Sequence, residues 1–120
     1  MPALLRYTLV GAFATAAHYA LLMLLVEWAG WPAYLASGVG AVLGAQIAYA
    51  GNRQFTFGHR GAMPASWAKF QATAMLGALL GMAVVAFGVG LGAHYLVAQL
   101  AATLLVLGLT FVVNRRWTFG

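Results

Sequence analysis

The chain has 120 residues, 64% of them hydrophobic and 6% charged, where soluble domains carry roughly 25% charged residues. So little polar surface cannot coat a globule of this size in water, and a mean hydropathy of +0.91 assigns the chain to a bilayer. The absence of cysteine excludes disulfides, Cys-ligated zinc, iron–sulfur clusters and thiol nucleophiles. A separate soluble catalytic domain is excluded as well, because spans of about 20 apolar residues account for most of the sequence.

The first apolar run covers residues 7–26, without a charge and interrupted only by Thr8, Thr15 and His18. It is too long for the core of a signal peptide and is followed by more apolar sequence, so a mature spanning helix is expected. Glu27, Trp28, Gly30, Trp31 and Pro32 predict a short interfacial turn, with Pro32 suited to starting the next helix. The second helix is expected over 33–50. Residues 51–69 hold Asn52, Arg53, Arg60, Pro64 and Lys69 and predict a loop or interfacial segment. A third helix over 70–90 leads through a Gly-rich link, 88–92, to a fourth over 95–113. The expected fold is all-α: one integral membrane domain with four transmembrane helices.

The charge balance is 6 Lys and Arg against 1 acidic residue. In a soluble protein that excess would raise the question of nucleic acid. Here Arg6 precedes the first helix, Arg53, Arg60 and Lys69 lie between the second and third, and Arg115 and Arg116 follow the fourth. All six fall on one side of a four-span topology, which predicts that both termini and the central loop are cytoplasmic and that no nucleic acid is bound.

Two segments repeat. Residues 49–57 read Tyr-Ala-Gly-Asn-Arg-Gln-Phe-Thr-Phe and residues 111–119 read Phe-Val-Val-Asn-Arg-Arg-Trp-Thr-Phe, an offset of 62 that aligns Asn52 with Asn114 and Arg53 with Arg115. Arg6-Tyr7 and Lys69-Phe70 begin the odd-numbered helices at an offset of 63. Each unit, about 6–57 and 69–119, has two spans, so the copies are expected to be parallel, related by an axis along the membrane normal. Two readings of the motif stand. Asn suits a helix C-terminus, Arg the negative end of the helix dipole and aromatics the headgroup level, so anchoring accounts for every position. Alternatively Asn52, Arg53, Asn114 and Arg115, with Arg6, Lys69 and Arg116, form a site for a lipid phosphate, which arginine grips with a bidentate fork. Phe55, Phe57, Trp117 and Phe119 would then face the headgroup or an attached sugar.

Inside the apolar runs lie Thr15, His18, Gln46, Gln71, Thr73, Gln99 and Thr103. Polar groups in lipid seek partners across helices, and Thr15, His18, Gln46 and Gln99 are the candidates for lining a polar path. Gly40-x-x-x-Gly44 and Gly77-x-x-x-Gly81 offer faces for close helix approach. No P-loop, carboxylate pair or Ser/His/Asp set occurs, and the three histidines are too scattered for a metal. Neither enzymatic activity, a metal nor a cofactor is expected.

Arg6-Tyr7-x-x-Val10-Gly11 with Thr15, Asn52-Arg-x-Phe-Thr-Phe57 and Asn114-Arg-Arg-Trp-Thr-Phe119 resemble the GtrA-like family of small four-helix bacterial membrane proteins, over nearly the whole chain. The resemblance implies translocation of a polyprenyl-phosphate-linked monosaccharide from the cytoplasmic to the outer leaflet of the bacterial inner membrane, for modification of cell-surface polysaccharide. It also implies a membrane glycosyltransferase as partner. Four helices make a thin wall, so a homo-oligomer is expected. Two alternatives remain: an accessory membrane subunit of a polyprenyl-phosphate glycosyltransferase, and a small multidrug-resistance-like proton antiporter. The second requires a carboxylate deep in the first helix, whereas Glu27 is at its end.

Overall fold

The computed structural model describes residues 2–51 and 64–113, and among these it contains only helices and short turns. The helices are α1 (Ala3–Glu27), α2 (Ala33–Gly51), α3 (Pro64–Gly90) and α4 (Tyr95–Val113), consecutive ones antiparallel. Stretches Leu5–Glu27, Ala33–Gly51 and Trp67–Gly90 are each long and apolar enough to cross a membrane, and Tyr95–Leu109 supplies the apolar part of α4. At 1.5 Å per residue the 19-residue α4 reaches about 28 Å, close to the hydrocarbon thickness. The chain is a multi-pass integral membrane protein.

Its interior is the reverse of a soluble core. Small residues dominate the inside: Ala14, Ala36, Ala78, Ala98 and Ala102 are buried, as are Gly38, Gly40 and Gly44, with Val10, Leu22 and Val85 as the larger members. Large apolar residues are outside, with Phe13 and Phe87 69% and 70% exposed. Lipid tails are as apolar as leucine, so helices associate by close van der Waals approach rather than by hiding bulk.

Gly40 shows how close the approach is. A Cβ placed there would lie 2.6 Å from the His18 ring and 2.8 Å from the His18 carbonyl oxygen, and one at Gly44 would lie 3.1 Å from the Ala14 carbonyl oxygen. The Gly40/Gly44 face therefore packs directly on the α1 backbone. Gly81 is looser, with Val106 at 3.8 Å from its Cβ position.

Burial follows the offsets seen in the sequence. Val10, Ala14 and Leu22 of α1 are buried, and so, 63 residues later, are Thr73, Gly77 and Val85 of α3. Ala36, Ser37 and Gly40 of α2 are buried, and so, 62 residues later, are Ala98, Gln99 and Ala102 of α4. Among the described residues the two with positive φ, Gly30 at φ 74 and Gly92 at φ 97, are also 62 apart. Each ends an odd-numbered helix in a left-handed turn that glycine adopts without steric cost.

Two boundaries differ from expectation. The segment expected as a loop to Lys69 is helical from Pro64, because proline is preorganised for the first turn of a helix and good helix formers follow it. The Gly-rich link begins later than expected, since Gly88 and Gly90 lie within α3 and the turn falls on Leu91 and Gly92.

Backbones pack along α1–α2, α2–α3 and α3–α4. Helices α1 and α4 are joined through side chains: Tyr19 to Thr103, 2.7 Å apart, and Glu27 to the Tyr95 hydroxyl.

Candidate functional site

A chain of hydrogen bonds crosses the bundle in the half nearer Glu27. Ser37 on α2 donates from Oγ to Gln99 Oε1 on α4. Gln99 donates from Nε2 to Thr103 Oγ1 at 3.2 Å, one turn on, and Thr103 returns its own proton to the Gln99 carbonyl at 2.9 Å. With that proton committed, Tyr19 on α1 must be the donor in its bond to Thr103. A hydroxyl has one hydrogen and two lone pairs, so Thr103 is saturated. Three helices are tied together through groups that lipid could not satisfy.

His18 adjoins this network. Its ring meets Tyr19 edge-on, centroids 5.5 Å apart, and fills the space left by the missing side chain of Gly40. Its Nε2 is buried and makes no hydrogen bond of regular geometry among the described residues, with the Ser37 backbone as the polar neighbour of the ring. A buried polar atom without a well-formed hydrogen bond costs about 1–3 kcal/mol, so this nitrogen is a ready acceptor or donor for a hydroxyl that enters the bundle. Gln99, which is 2% exposed, keeps a second amide hydrogen beyond the one given to Thr103.

Nearer the end that carries Arg6 and Lys69, α2 and α3 are joined by an amide pair. Gln46 donates to Gln71 Oε1 at 2.7 Å and Gln71 donates back to Gln46 Oε1 at 3.2 Å. One turn further toward that end the Tyr49 and Phe70 rings are 5.1 Å apart. Thr73 turns inward to the Lys69 carbonyl, 2.9 Å away, a local bond that consumes its hydroxyl proton.

The expected path residues therefore separate. His18 and Gln99 share one buried region, Gln46 belongs to the α2–α3 amide pair, and Thr15 is exposed on the outer surface of α1. Thr15 stands apart because the α1 face toward α2 is the stripe Val10, Ala14 and His18, spaced by four, and a residue one position past Ala14 is rotated about 100° away from it. Of the expected phosphate site, Arg6 is half-buried on the first turn of α1 and Lys69 on the second turn of α3. Asn52, Arg53, Asn114, Arg115 and Arg116, with Phe55, Phe57, Trp117 and Phe119, lie outside the described residues.

Ser37 and Tyr19 are members of the network that the residue types did not single out. Ser37 had a signal: it lies 62 residues before Gln99, its counterpart in the repeat, and a direct bond between counterparts is what an axis between the units would produce. Tyr19 had none, since nothing local distinguishes it from an interfacial tyrosine.

A family model described as GtrA/DPMS, transmembrane domain, matches residues 6–119. No curated protein matches the chain. With nearly every residue inside the match, the chain belongs to the GtrA/DPMS transmembrane family.

Proposed function

From membership of the GtrA/DPMS transmembrane family, whose members serve polyprenyl-phosphate sugar handling, we propose that this chain moves a polyprenyl-phosphate-linked monosaccharide from the cytoplasmic to the outer leaflet of a bacterial inner membrane. The observation that carries the reading is the polar interior at Tyr19, Ser37, Gln99 and Thr103 with the buried Nε2 of His18. An all-apolar wall would serve a purely structural subunit, whereas sugar hydroxyls crossing a bilayer need fixed hydrogen-bonding groups.

The lipid tail is already at home in the bilayer, so the protein has only the phosphate and sugar to shield. One charge at the bilayer centre costs from about 3 to more than 10 kcal/mol. Arg53 and Arg115, with Arg6, Lys69 and Arg116, receive the phosphate at the cytoplasmic face through charge-assisted hydrogen bonds. The aromatics Phe55, Phe57, Trp117 and Phe119 flank the sugar. Deeper in, His18 Nε2 and the spare Gln99 amide hydrogen exchange hydrogen bonds with sugar hydroxyls. Movement is equilibrative and non-enzymatic, drawn by consumption of the lipid on the far side, and the product feeds cell-surface polysaccharide modification. A membrane glycosyltransferase supplies the substrate, and the chain works as a homo-oligomer.

The test is reconstitution. Purified protein in liposomes is expected to exchange a polyprenyl-phosphate sugar between leaflets without ATP and with little response to a proton gradient, and His18→Ala to slow exchange more than it lowers stability. No exchange above empty liposomes, together with restored sugar transfer when a glycosyltransferase is added, would replace transport by the accessory-subunit role.

A further inference from the structure

The two ends of the bundle differ in chemistry. One carries Arg6 and Lys69; the other, at the α1–α2 and α3–α4 turns, carries His94 and Glu27, the one acidic residue of the chain. The turns are counterparts in backbone, each closed by a positive-φ glycine, Gly30 and Gly92, yet not in side chains. Moving forward by 62, Glu27 becomes Val89, Trp28 becomes Gly90, Trp31 becomes Ala93, and Pro32 and Ala33 become His94 and Tyr95. Anchoring at the headgroup level would be served by the same residues in both turns. Instead one turn brings a carboxylate, the other an imidazole and a phenol, and the fold joins them.

The Tyr95 hydroxyl donates to the Glu27 carboxylate, from the start of α4 to the end of α1. An ionised carboxylate has about four acceptor positions, so most of Glu27, which is exposed, stays available to incoming hydroxyls. His94 caps α4: its Nδ1 accepts the Leu96 amide hydrogen at 3.1 Å and its carbonyl accepts that of Ala98 at 3.0 Å. With Nδ1 held as an acceptor, the neutral ring carries its proton on Nε2, a donor on an exposed side chain. The His94 and Tyr95 rings stack with centroids 4.8 Å apart and planes 24° from parallel, which leaves the far face of the His94 ring as an aromatic surface. Acceptors, a donor and an aromatic surface in one cluster match a sugar ring, with hydroxyls around its edge and C–H bonds on its faces.

Tyr95 also continues the buried network. It precedes Gln99 and Thr103 by four and eight residues, so the three share a face of α4 at steps of about 6 Å, and a sugar leaving Gln99 and Thr103 meets Tyr95 and Glu27 next. We propose that Glu27, His94 and Tyr95 form a binding site for the monosaccharide of a polyprenyl-phosphate-linked sugar, at the end of the bundle opposite the basic residues. Glu27 repels the phosphate and the two turns contain no Lys or Arg to hold it, so the site grips the sugar and refuses a polyprenyl phosphate without one. The lipid rests on the function proposed above; the sugar chemistry of the site does not.

Histidine-selective 13C,15N labelling of the full chain gives three imidazole signals, from His18, His59 and His94, and His94→Asn, which keeps a capping side chain, assigns the last. Spectra are recorded in a phosphocholine detergent, because an alkyl glycoside would compete for the site. Polyprenyl phosphates bearing glucose, mannose, galactose or arabinose are titrated beside bare polyprenyl phosphate and the free sugars. At least one sugar lipid is expected to move the His94 signal saturably; bare lipid is refused, and free sugar at the same concentration lacks the anchoring that raises its local concentration. Glu27→Gln, which still accepts from Tyr95, is expected to weaken the response about ten-fold, the loss of one hydrogen bond to a charged group, and Tyr95→Phe several-fold. The site is overturned if no sugar lipid moves His94, if bare lipid moves it equally, or if Glu27→Gln leaves the response unchanged. A free sugar as effective as its lipid keeps the sugar site and overturns the lipid as its ligand. Leaflet exchange by the unaltered protein with a silent His94 overturns this site alone, whereas a responding His94 without leaflet exchange keeps the site and overturns transport.

Discussion

Replacing Gly40 by alanine tests whether α1 and α2 are held at backbone contact. The new methyl would lie 2.8 Å from the His18 carbonyl oxygen, where ordinary contact begins at 3.4 Å. The backbone cannot swing aside, so the helices must part by about 0.6 Å, a gap that forfeits roughly a quarter of the dispersion energy of the facing atoms. Overpacking of this kind costs about 1–3 kcal/mol, while glycine to alanine inside a helix returns about 0.5–1 kcal/mol. The expected net loss for Gly40→Ala is about 0–2.5 kcal/mol, toward the upper part of that range because the contact is with backbone. Gly108→Ala, which meets nothing within 4 Å, keeps the propensity gain and should be neutral or stabilising. Gly51→Ala meets only the Val10 side chain, 2.8 Å away at its nearest atom, and should fall between the two. Reversible unfolding by SDS titration in mixed micelles, followed by circular dichroism, gives the order. Equal stability of the Gly40 and Gly108 variants would refute the close α1–α2 packing.

Gln99→Leu should destabilise by about 1–3 kcal/mol because it strands the buried Ser37 hydroxyl, and adding Ser37→Ala should recover part of that loss; a double-mutant cycle by SDS titration measures the coupling, and strictly additive losses would count against the bond. Replacing Arg53 or Arg115 by Gln should weaken polyprenyl phosphate binding by about 1.5–3 kcal/mol, the worth of a charge-assisted hydrogen bond, read by fluorescence titration in detergent; unchanged binding in the double variant would leave those arginines as anchors only. A cysteine at Gly30 should react with an impermeant thiol reagent from outside intact cells while one at Gly61 does not, and the reverse pattern would invert the topology.

Much of the architecture is written in the chain because the bilayer is an undemanding reader of sequence. Apolar length sets where a span can run, so the start of α2 at Ala33 and of α4 at Tyr95 agrees with the hydropathy pattern to the residue, while the start of α3 does not, because Pro64 and the residues after it form helix without needing to be apolar. The small-residue face of Gly40 and Gly44 was legible for the same reason, since only such residues admit a second backbone. Which polar group meets which was not legible. Gln46 and Gln99 look alike in sequence, yet one pairs with Gln71 across α2 and α3 and the other with Ser37 across α2 and α4. Thr15 and His18 share a helix but face different surroundings, because Thr15 is one residue of helical rotation past the packed stripe of Ala14 and His18. The repeat could be aligned from residues alone, and so could the change of Gln46 to Gly108. That Ser37 meets its repeat counterpart Gln99 across the bundle was decided by tertiary structure, because a hydrogen bond in the membrane depends on the partner that packing brings within reach.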